Sequence, residues 1–120
     1  MMEFIQSPQL PPPAGHYSPA VRAGGFVFVS GVLPGTDVSG FEPQVRDALE
    51  RCRLVLQAAA CDLHQVVQCT AYIVGVNHWP EFNRVYAEVF GDHRPARAVV
   101  PVAELHHGCL VEIQLIALAA

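Results

Sequence analysis

Lysine is absent from all 120 residues; the seven basic residues, Arg22, Arg46, Arg51, Arg53, Arg84, Arg94 and Arg97, are all arginines. Without a lysine ε-amine the chain can form no Schiff base, which excludes covalent pyridoxal phosphate and aldolase-type chemistry. Charge of either sign is scarce. Only 15% of residues are charged, against roughly 25% in ordinary soluble domains. Hydrophobic residues make up 52%, more apolar surface than a lone small domain buries, so an oligomer is expected. With a net charge of −4 and no basic run, the chain lacks the cations that neutralise phosphates, which argues against nucleic acid as the main partner.

The four cysteines, Cys52, Cys61, Cys69 and Cys109, show no C-x-x-C spacing. Cys52 falls on an apolar helix face and Cys69 on an apolar strand face, where free thiols pack as small hydrophobes. With no signal-peptide pattern at the N-terminus, a reducing, cytoplasmic setting is expected. The longest uncharged stretch, Leu63–Pro80, carries Gln65, Gln68, Asn77 and two histidines. That composition suits a core strand with its loops and no membrane span.

The length predicts one domain, residues 1–120, large enough for a core. Glu3–Gln6 reads as a short strand, and Pro8 with Pro11–Pro13 forces an extended lead into Gly15-His16-Tyr17-Ser18. Val21–Ala23, Gly24-Gly25 and Phe26–Ser30 predict a hairpin with a glycine turn, followed by a loop from Gly31 to Gly40. Pro43 suits the first turn of a helix, and Val45, Leu49, Cys52, Val55/Leu56 and Ala59 recur at helical spacing through Ala60. Val66–Val74 alternates as a strand with Val67, Cys69, Ala71 and Ile73 inside. A second helix opens at Trp79-Pro80, carries Phe82, Val85, Tyr86, Val89 and Phe90 as its apolar stripe, and ends at Gly91.

Arg94–Ala120 predicts a closing hairpin, two strands joined by a turn at Glu104–Gly108. In its last strand Val111, Ile113, Leu115 and Ala117 share one face, and Leu110, Glu112, Gln114, Ile116 and Leu118 the other. The order strands, helix, strand, helix, strands predicts an α+β sandwich with two helices on one face of a mixed sheet. Its second face is apolar enough to need a partner subunit.

Glu112 is the residue that stands out. A carboxylate in so apolar a strand is costly unless something pairs with it or uses it. It reads equally as an edge residue balanced by an arginine or as a chemical group. By the same logic Tyr17 reads as a loop anchor, and Ser30 and Asn83 as strand-end and helix-surface polar residues. His106-His107 cannot both ligate a metal from one strand face, and no metal site is expected.

The segments G-H-Y-S, F-V-F-V-S-G-V-L-P, F-N-R-V-Y-A-E-V-F, H-R-P-A-R and G-C-L-V-E-I-Q-L-I-A, in that order and spacing, resemble the RidA/YjgF family of enamine/imine deaminases over about residues 14 to 118. The resemblance implies a chorismate-mutase-like fold assembled as a homotrimer, with clefts between subunits and no cofactor. It also implies roles for single residues: Arg97 for the substrate carboxylate, Glu112 for the attacking water, and Tyr17, Ser30, Gly31, Asn83 and Val99 for lining the cleft. A guanidinium is the natural two-pronged partner of a carboxylate. A second carboxylate can take a proton from water and return one to a departing amine.

The chain departs from the family pattern in four places. His16 replaces a common proline, Val32 a frequent glutamine and Val99 a common cysteine, and L-H-H-G replaces L-P-x-G. With Val99 in place, no thiol is available at that position. Gly15-His16-Tyr17 also resembles the 2-aminomuconate deaminase branch. The family implies deamination of 2-aminoacrylate-type acids, with aminomuconate deamination and a non-catalytic ligand-binding trimer as alternatives.

Overall fold

A computed structural model describes residues 1–120. β1 (Glu3–Ile5), β2 (Ala20–Ala23) and β3 (Phe26–Val32) form an antiparallel meander. The β2–β3 turn is Gly24-Gly25, both at positive φ (58° and 83°), the conformation that two-residue hairpin turns require and glycine adopts freely. Then come α1 (Phe41–Ala58), β4 (Val66–Val74), α2 (Trp79–Phe90), β5 (Ala96–Val102) and β6 (Val111–Leu118).

The predicted closing hairpin does not exist. The six-stranded sheet runs β1-β2-β3-β6-β4-β5. β5 pairs parallel with β4 at the sheet edge, while β6 pairs antiparallel with both β3 and β4 in the middle. The reason is the crossover: a strand returned by a helix lies parallel to the strand before it, so α2 places β5 beside β4. The chain must then cross the end of β4 to reach the vacancy between β3 and β4. A bond from Val74 N–H to Leu110 C=O (2.9 Å) marks that crossing.

Other boundaries move by smaller amounts. β3 continues through Gly31 to Val32, with an irregular register between Val29 and Val32 where it pairs with β6. In β4 the register slips between Val66 and Gln68. Val66 is therefore buried and Val67 only half-buried, the reverse of strict alternation; an extra residue at a bulge resets the faces. α1 begins at Phe41, with Pro43 in its first turn, and stops at Ala58. Ala60 adopts φ 60°, and Cys61 N–H and Ala60 N–H return to Leu56 and Gln57 C=O at 2.8 and 3.0 Å. This is a Schellman closure built on alanine where glycine is usual.

One core joins the helices to one sheet face. Val45, Leu49, Cys52 and Leu56 of α1 and Phe82 and Val85 of α2 are buried with Val27, Cys69, Ala71, Ile73, Val111, Ile113, Leu115 and Ala117. The alternation predicted for β6 holds. The other face is bare. A row across all six strands runs Phe4, Val21, Phe28, Ile116, Gln68, Ala96, and Phe4, Phe28 and Leu118 are 65%, 43% and 49% exposed.

Candidate functional site

Glu112 lies on the bare face, cross-strand from Tyr72 of β4. Its carboxylate is pressed against β3: a Cβ added to Gly31 would stand 2.1 Å from Glu112 Oε2. The absence of a side chain at Gly31 thus leaves the space this carboxylate occupies, and any side chain there would displace it. The bland reading, an arginine partner for Glu112, fails within the chain, because no ion pair includes it.

Ser30 ties the Tyr17 loop to the same point. Its Oγ–H donates to Ser18 C=O (2.7 Å) and its N–H to Pro19 C=O (3.0 Å). Tyr17 is 55% exposed and its ring covers Gly15. Tyr17, Ser30 and Gly31 line a recess of about 290 Å³ walled by the proline run, with Arg51 and His107 at its edge. Arg51 is engaged by Asp47 (3.0 Å), which also accepts from Gly35 N–H (2.8 Å) and so fixes the loop after β3.

Arg97, Asn83 and Val99 form a second group elsewhere. Arg97 is the parallel-register neighbour of Cys69, and Val99 that of Ala71, so both face the helices. Arg97 Nη1–H donates to Asn83 Oδ1 (3.0 Å), and its guanidinium lies 4.9 Å from the Tyr86 ring centroid. Amide and ring together orient a planar cation that has no carboxylate partner.

Beneath it, burial pushes the Cys69 thiol up to about 11, against smaller opposing effects of Tyr86 and the Arg97 charge. Burial also raises the Tyr86 phenol well above its usual range. Both groups are neutral near pH 7, so neither serves as a base or thiolate nucleophile. Cys52 is likewise raised by burial.

The predicted site residues therefore fall into two sets. In the sheet register Arg97 stands three residues along and two strands across from Glu112 and on the opposite face. At about 3.3 Å per residue and 4.8 Å per strand, that is roughly 14 Å between their Cα atoms. One small ligand cannot touch both within a single chain. Sequence reasoning also passed over Tyr86, read only as a core stripe residue, and over Arg94, which lines the Arg97 recess. The adjacency of two arginines in R-P-A-R was the available signal for Arg94.

An α+β chain with β6 set inside a split β-α-β sheet, a carboxylate on one face and a stacked arginine on the other, is of the YjgF structural class. The family model for Endoribonuclease L-PSP matches residues 7–119, and the chain belongs to that family, whose members also carry the names RutC, YjgF and Rid. A RutC family protein of Pyrococcus horikoshii is 39% identical over 123 residues, covering 98% of both chains. Among solved structures, RidA from an Antarctic Psychrobacter superposes with TM-score 0.90 at 32% identity, over 97% of this chain and 98% of that one. E. coli TdcF with bound serine gives 0.89 at 28% identity, over 98% and 99%. No helix here is long and apolar enough to cross a membrane.

Proposed function

We propose that this chain is a hydrolytic deaminase of small enamine and imine acids, working as a homotrimer of one-domain subunits in a cytoplasmic setting. Its site forms where the Glu112 side of one copy meets the Arg97 side of another. The observation that carries this is the pairing of two unsatisfied, pre-positioned groups. A carboxylate without a cation and a guanidinium without an anion sit on opposite faces, and only a second copy can bring them to one ligand. The apolar bare face, with Phe4, Phe28 and Leu118 exposed, gives copies a reason to associate. That TdcF holds serine, an amino acid bearing an α-carboxylate, agrees with this ligand class.

In this reading Arg97 binds the substrate α-carboxylate through two parallel N–H donors. An enamine such as 2-aminoacrylate takes a proton from solvent at its terminal carbon and becomes the iminium. Glu112 removes a proton from a water as its oxygen bonds to the iminium carbon, giving a neutral carbinolamine. Glu112 then passes that proton to the nitrogen, the C–N bond breaks as the hydroxyl forms the carbonyl and releases its proton to solvent, and ammonia and a 2-keto acid leave. Tyr17 covers the cleft, and Ser30 and Gly31 shape its floor. Asn83 holds Arg97 in place, and Val99 supplies an apolar wall.

An endoribonuclease reading, which the family's description suggests, finds little support in this chain. Five of its seven arginines are already paired with acids, leaving no phosphate-binding track.

Ammonia release from enzymatically generated 2-aminoacrylate tests the reading, with sedimentation equilibrium alongside. Acceleration over the spontaneous rate and a mass three times the 13.0 kDa monomer are expected. Arg97→Lys keeps the charge but loses the planar fork, and should weaken 2-oxobutyrate binding about 10-fold or more. No acceleration, or a monomer, refutes the proposal.

A further inference from the structure

In a chain with so few cations, the pairing of each arginine is informative. Arg22, Arg46, Arg51, Arg53 and Arg84 are bound to Glu3, Glu42, Asp47, Glu50 and Glu88. The two arginines in no ion pair, Arg94 and Arg97, line one and the same recess of about 350 Å³. None of the nine residues around it is an acid. His93 at its wall is turned to the backbone, with Nε2 2.7 Å from Val66 C=O, and the permanent positive charges of the recess are the two guanidiniums.

Arg97 is held by Asn83 and Tyr86. Arg94 is exposed at the lip, three residues ahead and just before β5 begins. Two uncompensated cations in one small recess repel each other, and a ligand with two negative groups turns that repulsion into attraction. The volume falls within the range of small-molecule sites, about 300–1,000 Å³.

Resting on the reading above, in which Arg97 takes the α-carboxylate, we propose that Arg94 receives a second carboxylate. The preferred substrates are then imines of dicarboxylic amino acids, ahead of their monocarboxylic counterparts. Arg94 acts on selectivity and takes no part in bond making. The reaction supplying such a substrate would be an oxidation or elimination that leaves a C=N or C=C–N group on a dicarboxylic acid.

The test is calorimetric titration of the full chain with 2-oxoglutarate and 2-oxobutyrate, product analogues with and without the second carboxylate. A charge-assisted bond at a partly exposed site should favour 2-oxoglutarate by about 5- to 50-fold. Arg94→Gln should bring that ratio close to one, whereas Arg97→Gln should weaken both acids. The same ratio should appear in ammonia release from imines that an amino-acid oxidase makes from glutamate and from 2-aminobutyrate, with catalase present.

Equal affinity of the native protein for the two acids overturns the inference and leaves the deaminase reading standing. Arg94→Gln weakening both acids alike while the oligomer dissociates also overturns it, by assigning Arg94 to an ion pair with another copy. Native protein that binds neither acid refutes the proposed function and this inference with it.

Discussion

Gly31→Ala isolates the position of the Glu112 carboxylate from its chemistry. Gly31 is absent from the positive-φ glycines, so its backbone conformation tolerates alanine and the strain comes from one contact. The new methyl would stand 2.1 Å from Glu112 Oε2, and ordinary van der Waals contact begins at 3.4 Å, so the oxygen must retreat by about 1.3 Å. Misplacing a reacting group by 1 Å costs on the order of 10²-fold in rate, and complete loss of general acid–base help costs about 10²–10⁴. The expected kcat for 2-aminoacrylate is therefore about 100-fold below native.

Folding should barely change, because the atom in the way is the far end of the flexible, half-buried Glu112 side chain. The smaller conformational freedom of unfolded alanine returns about 0.4–1 kcal/mol. Thermal unfolding should accordingly stay within about 4 °C of native. A double-mutant cycle makes the test sharp: in the Glu112→Gln background, Gly31→Ala should add almost no further loss, since the displaced group is already inert. If Gly31→Ala turned over within about threefold of native, equivalent to less than 1 kcal/mol in the barrier, the carboxylate's position would not matter and the argument would fail.

Two predictions concern stability. Ala60→Gly relieves a left-handed alanine at φ 60°; that conformation costs a non-glycine residue about 1–2 kcal/mol, and glycine's extra unfolded-state entropy returns about 0.5–1. Denaturant titration should show a net gain of up to about 1.5 kcal/mol, and a loss would refute the closure at the end of α1. Cys69, raised by burial from 9.0 to about 11, keeps its proton in the fold after the unfolded chain has lost it. Its contribution to stability is full below pH 9 and is lost as pH rises toward 11, at no more than about 1.4 kcal/mol per pH unit. Cys69→Ala should flatten that alkaline limb of the denaturation midpoint, and an unchanged limb would count against the burial of this thiol.

Most local structure was legible in the residues themselves. The stripe Phe82, Val85, Tyr86, Phe90 and the alternation Val111, Ile113, Leu115, Ala117 are each set by neighbours within a turn or a pleat. Burial follows both patterns. The Gly24-Gly25 hairpin was equally local, since only glycine takes both positive φ values at little cost. Glu112 stood out because a carboxylate among aliphatic residues is improbable without a use.

Strand pairing was not legible, because it is decided between segments far apart in sequence. The short link from Val102 to Val111 is compatible with a hairpin, and the parallel crossover through α2 overrules it. The bulge at Val67 and the passage of Gly31 beside Glu112 are products of that pairing. So is the fact that matters most for chemistry, the separation of Arg97 and Glu112 to opposite faces. A residue's face depends on the parity of its strand register, and whether two residues meet depends on which strands lie between them. Sequence alone therefore names the groups proposed to act, and the fold decides that one chain cannot bring them together.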